Sequence, residues 1–273
     1  MAGRVALITG CGRRRGIGVG IARALASAGC AVAMSDLRSK EAEHGADGLV
    51  ALADELRADG ASALTVFCDL TEPGDIDEAV RSVVSGFGRL DVLVNNAAAV
   101  HGTDRGDPAR VELADLDALL TINVRAAFLL IQAAIPIMRN QGYGRIVNMS
   151  SQAGRIGTPG RAVYSMTKSA LLGLTRALAV DLGRDGITVN AICPGAIATD
   201  RLTDTMSTQA ADGRPAAGAD DDEGRVRAWA DTVPMGRLGL PSDIGAAVVF
   251  LASPDAEYVT GHALAVDGGR FAL

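Results

Sequence analysis

Aromatic residues are scarce in this sequence: they make up 3% of its 273 positions, with a single tryptophan. Hydrophobic residues nevertheless reach 48%. The core must therefore be built from Ala, Val, Leu and Ile, which suit sheets packed tightly against helices. Cysteine is sparse too. Cys11, Cys30, Cys68 and Cys193 are scattered without a Cys-x-x-Cys spacing. That argues against a zinc site or a redox dithiol and favours buried free thiols in a reducing compartment. His44, His101 and His262 lie far apart and lack metal-motif spacing, so no metal is expected. An excess of basic charge is missing: the net charge is −6, which argues against a nucleic-acid partner. No apolar run approaches the roughly 18 residues of a membrane helix, and the N-terminus has no signal-peptide layout. A soluble cytoplasmic protein that does not engage a membrane is expected.

What is present is organised around Tyr164-Ser165-Met166-Thr167-Lys168. Small and apolar residues surround it with no proline, so a helix is expected. Four residues separate Tyr164 from Lys168, which places both on one helix face. A free tyrosine titrates near pH 10, roughly, too high for easy proton exchange at neutral pH. A neighbouring ammonium stabilises the phenolate and makes the pair a usable general acid or base. The pattern is weak alone; on its own it also describes an ordinary helix with a surface Tyr and a surface Lys.

The rest of the chain supplies context. Arg4 to Thr9 reads as a buried strand, followed by a turn with Gly10, Gly12, Gly16 and Gly18, then a helix from Val19 to Gly29. Strand, glycine turn and helix together make a phosphate cradle at a helix N-terminus. Cys30 to Asp36 reads as a second strand. Its terminal acid stands about twenty residues after the turn, where a carboxylate accepts hydrogen bonds from both adenosine ribose hydroxyls. Ser39 to Gly60 reads as one helix. Further strands are expected at Ala63–Cys68, Leu90–Val94, Gly144–Met149, Ile187–Ile192 and Gly261–Gly269. Asp69 follows the third and is placed to bond adenine or to cap the next helix. Val111 to Met138 reads as a long helical stretch holding Asn123, with Pro136 near its end.

Repeated strand–helix alternation implies an α/β fold with a parallel sheet covered on both faces. No internal repeat or linker appears, so one doubly wound domain over residues 1–273 is expected. The Gly turn, Asp36, Asp69, Asn96, Ser151 and Pro194 all fall at carboxyl ends of strands, where such sheets bind ligands. Thr199 to Thr232, rich in Ala, Gly and Asp, is too long and polar for a simple connection. It is expected to act as a substrate lid, with a disordered insertion as the other reading.

These residues together resemble the short-chain dehydrogenase/reductase family over essentially the whole chain. The resemblance rests on Thr9-Gly10…Gly16-Ile17-Gly18, Asp69, Asn95-Asn96-Ala97, Asn123, Ser151, Tyr164…Lys168, Pro194-Gly195 and Asp267-Gly268-Gly269. It implies a Rossmann fold, a nicotinamide cofactor and hydride transfer between an alcohol and a carbonyl. In that likeness Tyr164 is the acid/base, and Lys168 bonds the nicotinamide ribose and lowers the tyrosine pKa. Ser151, thirteen residues before Tyr164, holds the carbonyl oxygen. Asn123 supports a proton-relay water. Cofactor contacts are expected from Gly10, Arg14, Arg15, Gly16, Ile17 and Gly18 in the turn, and from Asp36 and Leu37 after the second strand. Asp69 and Leu70, then Asn96, Ala97 and Ala98, follow the next two strands. Tyr164 and Lys168 add to these, as do Pro194, Gly195, Ile197 and Thr199. A homotetramer is implied as well.

Two departures stand out. Gly10 and Gly16 enclose five residues instead of three, among them Arg13, Arg14 and Arg15, and Ala98 stands where the family usually has glycine. Asp36 favours NAD, since it would repel a 2′-phosphate, while the arginines leave NADP possible. The expected activity is oxidoreduction of a secondary alcohol or ketone. Alternatives are an NADPH-dependent 3-oxoacyl-thioester reductase and a catalytically silent nucleotide sensor.

Overall fold

A computed structural model describes residues 1–40, 45, 48–99, 106–200, 202 and 222–270. A seven-stranded parallel sheet forms its centre, in the order β3-β2-β1-β4-β5-β6-β7. The strands are β1 Val5–Thr9, β2 Ala31–Asp36, β3 Ala63–Phe67, β4 Val92–Asn95, β5 Gly144–Met149, β6 Ile187–Pro194 and β7 Ala263–Val266. Short Val-, Ile- and Ala-rich runs suit it because both faces of such a sheet are buried. Alternate side chains of β1 go opposite ways. Ala6 and Ile8 join a core with α1 (Ile17–Ser27), α2 (Leu49–Ala58) and α7 (Pro241–Ala252). Val5 and Leu7 join a second core with α3 (Pro73–Phe87), α5 (Ala126–Gln141) and α6 (Ala162–Leu182). This is the expected doubly wound α/β architecture, with the strand order reversing between β1 and β4. A crevice opens there beyond the strand ends.

Several boundaries differ from the sequence expectation. Within Ser39–Gly60 residues 39 and 40 are helical and a helix runs from Leu49 to Ala58, while residues 41–44, 46 and 47 lie outside those described. The Val111–Met138 stretch is α4 (Leu113–Leu120), a π-helical turn at Thr121–Arg125, and α5, which runs past Pro136 to Gln141. The joined helix Leu113–Gln141 has 29 residues, and an 18-residue window within it has a mean hydropathy of 1.8. By length and composition alone it could cross a bilayer, although Asp115, Asp117, Arg125 and Arg139 interrupt its apolar run. In the fold its Ala126, Leu130, Ile131, Ala134 and Met138 are buried in the second core.

Candidate active site

Strand ends build the site. At the end of β1, Thr9 Oγ1 accepts the main-chain N–H groups of Asn96 at 3.1 Å and Ala97 at 3.0 Å. Asn96 Nδ2 donates back to the carbonyls of Thr9 at 2.7 Å and Gly10 at 3.1 Å. The two neighbouring strand ends are thereby locked together. Gly10 turns with φ of +75°, and a Cβ there would lie 2.9 Å from Ala97 Cα. At Gly18 a Cβ would lie 2.3 Å from the Gly10 carbonyl oxygen, so only glycine lets α1 start this close to β1. The bare turn and helix N-terminus fit the diphosphate of a dinucleotide.

Asp36 closes β2. Its Oδ2 accepts the Gly12 N–H at 2.6 Å and its Oδ1 the Leu37 N–H at 2.8 Å. Asp69 ties a local turn, accepting Thr71 N–H at 2.9 Å and Thr71 O–H at 2.7 Å. The cap position of α3 belongs instead to Glu72. Burial, with Asp75 and Asp69 adding, pushes the Cys68 thiol up to about 12. Burial raises Cys11 and Cys193 too, so these thiols stay protonated near neutral pH and offer no nucleophile.

Beyond β5, Ser151 begins a short 3-10 turn, Gln152–Gly154, and its Oγ accepts the Ala153 N–H at 3.2 Å. Across from it runs α6. Ser150 Oγ donates to the Lys168 carbonyl at 2.8 Å, fixing this helix to the strand end. Lys168 is 2% exposed; its Nζ donates to the Met149 carbonyl at 2.8 Å and lies 5.7 Å from the Tyr164 ring centre. The Arg161 guanidinium also stacks over the Tyr164 ring, 4.3 Å from its centre.

One cavity of about 540 Å³ joins these parts, within the range of small-molecule sites. Its lining includes Ser151, Tyr164 and Lys168 together with Gly10, Gly16, Ile17, Asp36, Leu37, Asp69, Leu70, Asn96, Ala97, Ala98, Pro194, Gly195, Ile197 and Thr199. Four expected residues are not part of that lining. Gly18 packs behind the turn. Arg14 pairs with Glu55, at 2.5 Å for the shorter contact, and Arg15 reaches Asp200 at 3.6 Å. It is Arg13 that lines the cavity. Asn123 is buried: its Oδ1 accepts Ala99 N–H at 2.8 Å, its Nδ2 donates to Thr167 Oγ1 at 3.1 Å, and its neighbour Ile122 takes the cavity wall.

The sequence reading gave Thr9 no role of its own and passed over Gln152, Arg161 and the Asn95–Asn148–Thr175 chain of side-chain bonds (2.9 and 3.0 Å) that ties β4, β5 and α6. A polar residue at each strand end is the only signal it offered. Most of the expected lid, residues 201 and 203–221, lies outside the described residues; Leu202 and Trp229 at its margins line the cavity.

Comparison with known proteins decides the family. A family model described as enoyl-(acyl carrier protein) reductase matches residues 10–270. The chain belongs to the short-chain dehydrogenase/reductase family. It is 38% identical over 271 residues to an uncharacterised oxidoreductase of Thermotoga maritima, covering 99% of this chain and 98% of that one. It is 34% identical to a 3-oxoacyl-[acyl-carrier-protein] reductase of Synechocystis, covering 98% and 97%. Among solved structures, a variant of actinorhodin polyketide ketoreductase with NADPH superposes with a TM-score of 0.87 at 33% identity, covering 99% of both chains. A metagenomic blue fluorescent protein in complex with NADPH gives 0.79 at 38%, covering 98% of both. This short-chain dehydrogenase/reductase is an oxidoreductase acting on alcohol or carbonyl groups with a nicotinamide cofactor.

Proposed function

We propose that this enzyme interconverts a secondary alcohol and a ketone, with NAD(H) as the favoured cofactor. One observation carries the reading: Ser151, Tyr164 and Lys168 line the same cavity as the glycine turn and Asp36. A dinucleotide along the turn would meet Asp36 at its adenosine ribose and Lys168 at its nicotinamide end. The nicotinamide supplies or accepts the hydride. Ser151 holds the substrate oxygen as its charge changes, and Tyr164 moves the proton at that oxygen. Lys168, a buried cation beside the ring, stabilises the phenolate form. Asn123 acts as a positioning residue, because its side-chain amide is committed to Ala99 and Thr167.

A second reading, NADPH-dependent reduction of 3-oxoacyl thioesters, draws on Arg13 and Lys40, which line the cavity near Asp36, and on the Synechocystis relative. Cofactor oxidation with NADH and NADPH side by side, over a panel of ketones and 3-oxoacyl thioesters, separates the two. No turnover with any member would contradict both.

We also propose that copies of this chain assemble, as a tetramer by resemblance. Exposed apolar side chains gather on α4, α5 and α6 at Leu113, Phe128, Met166 and Val180. A groove beside them is lined by Leu120, Val124, Phe128 and Leu174.

A further inference from the structure

Arg161, Tyr164 and Lys168 stand three and four residues apart along one helical run, so they share a face. All three line the cavity. Lys168 Nζ is 5.7 Å from the Tyr164 ring centre; the Arg161 guanidinium is nearer, at 4.3 Å, and stacks over the ring. The Arg161 main chain is held on both sides. Its N–H donates to the Thr158 carbonyl at 3.2 Å, and its carbonyl accepts the Ser165 N–H at 2.8 Å. Arg161 also occupies the N-cap of α6 and makes no side-chain cap bond there. That position favours Ser, Thr, Asp or Asn. A cation there is repelled by the positive end of the helix dipole, and the first turn of α6 holds no acidic residue. Arginine is thus a poor choice for the helix alone, and breaks of a local rule of this kind collect at functional sites.

The groups around Tyr164 come from several elements. Among the described residues, the carboxylates lining the cavity are Asp36, Asp69 and Asp200. Asp36 and Asp69 follow β2 and β3, three and four strands from β5, with the cations Arg13 and Lys40 at that same cofactor end. Asp200, after β6, pairs with Arg15 at 3.6 Å. The end of β5 presents Ser151 and Gln152, and the π-helical turn presents Asn123. Cys193 of β6 is kept protonated by burial. Asp115 and Asp117 of α4 and Arg155 after the 3-10 turn are not part of the cavity lining.

We infer that Arg161 is a positioning residue that acts through Tyr164: its guanidinium joins Lys168 in favouring the phenolate and so sets the pH at which the enzyme exchanges its proton. The inference rests on the alcohol–ketone reading above and concerns how that site is tuned. An opposite charge within about 4–6 Å favours the charged form of a titrating group. Removing one cation therefore moves Tyr164 ionisation to higher pH. Alcohol oxidation uses the phenolate as base and ketone reduction the phenol as acid. The rising limb of the first and the falling limb of the second both move upward.

Two measurements on the full-length enzyme test this. The first needs no turnover. Ultraviolet phenolate absorbance is followed against pH in the wild type and in Tyr164→Phe, and the difference isolates Tyr164 from the other tyrosines; the chain has 3 in all. The same pair is compared in an Arg161→Gln background, where the Tyr164 midpoint should lie about one pH unit higher, the low end of what one charged neighbour contributes. The second is the pH profile of kcat/KM for a secondary alcohol with the preferred nicotinamide cofactor, whose rising limb should move by a similar amount. Arg161→Lys keeps a cation and should stay within about half a unit of the wild type. Both substitutions fall at a helix cap, outside the two cores. A merely structural role would lower the rate at every pH and leave midpoint and limb in place; that result overturns the assignment. Equal shifts in Arg161→Lys and Arg161→Gln also overturn it. Turnover with unmoved midpoints removes this inference alone, whereas a moved midpoint with no turnover of any alcohol or ketone upholds the effect of Arg161 on Tyr164 and removes the alcohol–ketone reading.

Discussion

Asn123 donates through Nδ2 to the Thr167 hydroxyl at 3.1 Å, and that hydroxyl donates in turn to the Tyr164 carbonyl at 2.8 Å. With Oδ1 taking the Ala99 N–H, one amide spans the loop after β4, the π-helical turn and α6. An extra residue in a helical turn re-aims side chains, and such turns recur at functional sites. The turn brings Asn123 between the loop and the tyrosine helix. Asn123→Ala should therefore lower unfolding free energy by about 2 kcal/mol, the cost of an orphaned buried N–H. It should also reduce kcat while leaving cofactor affinity within about threefold, since the tyrosine moves and the glycine turn does not. Denaturant melts, kcat and a cofactor titration check this; unchanged melting would contradict it.

Acid stability has its own centre at the opposite end of the sheet. Asp91 is fully buried and accepts from Val5 N–H at 2.9 Å, Arg4 at 2.8 Å and Arg89 at 2.6 and 2.7 Å. Burial alone would raise its pKa, but Arg89, the Val5 N–H and Arg4 outweigh it and hold the carboxyl below its ordinary value. A depressed carboxyl stabilises the fold above its unfolded pKa of about 3.9, and that contribution is lost as pH falls through the lower folded value. Asp91→Asn should cost about 3 kcal/mol at pH 7, because it strands two arginines. Below about pH 4 that difference should begin to shrink, and it should close once pH lies below the folded value. Urea melts at pH 7 and pH 3 test it; a difference that grows on acidification would contradict it.

Cofactor choice turns on Asp36. A 2′-phosphate would meet its carboxylate, and like charges at close range cost binding. NADH should therefore give a higher kcat/KM than NADPH, and Asp36→Ala should raise the NADPH value. A wild type that works better with NADPH, with Asp36→Ala indifferent, would show that Arg13 and Lys40 dominate.

Assembly is checked by sedimentation at micromolar concentration. The apolar face of α4, α5 and α6 predicts a species well above the 27.9 kDa chain. A lone species at that mass would contradict it.

Local spacing makes much of the site legible in the sequence. Gly10 and Gly16 of the glycine turn, Asp36, Ser151 and the Tyr164–Lys168 pair each sit at a strand end or on one helical repeat, and all of them line the cavity. What depends on distant partners is not legible. Arg13, Arg14 and Arg15 are consecutive and chemically identical. Glu55 and Asp200, far along the chain, turn two of them away. The π-helical turn adds one residue to a helical period that otherwise reads as continuous. The Gln152 oxygen is an orphan only because of tertiary burial. Asn95 and Asn148 read as strand residues, yet their side chains bond across two strands that lie far apart in sequence.

Tyr164 is the group proposed to move the proton. Tyr164→Phe removes only the hydroxyl and keeps the ring that Arg161 and Lys168 approach. Single-turnover and steady-state rates with the preferred cofactor and ketone measure it directly, alongside a cofactor titration. The variant should melt like the wild type, bind cofactor within about threefold, and lose at least about 100-fold in kcat, the scale of a general acid–base contribution. A kcat within about tenfold of the wild type, only about 1.4 kcal/mol of barrier, would contradict it.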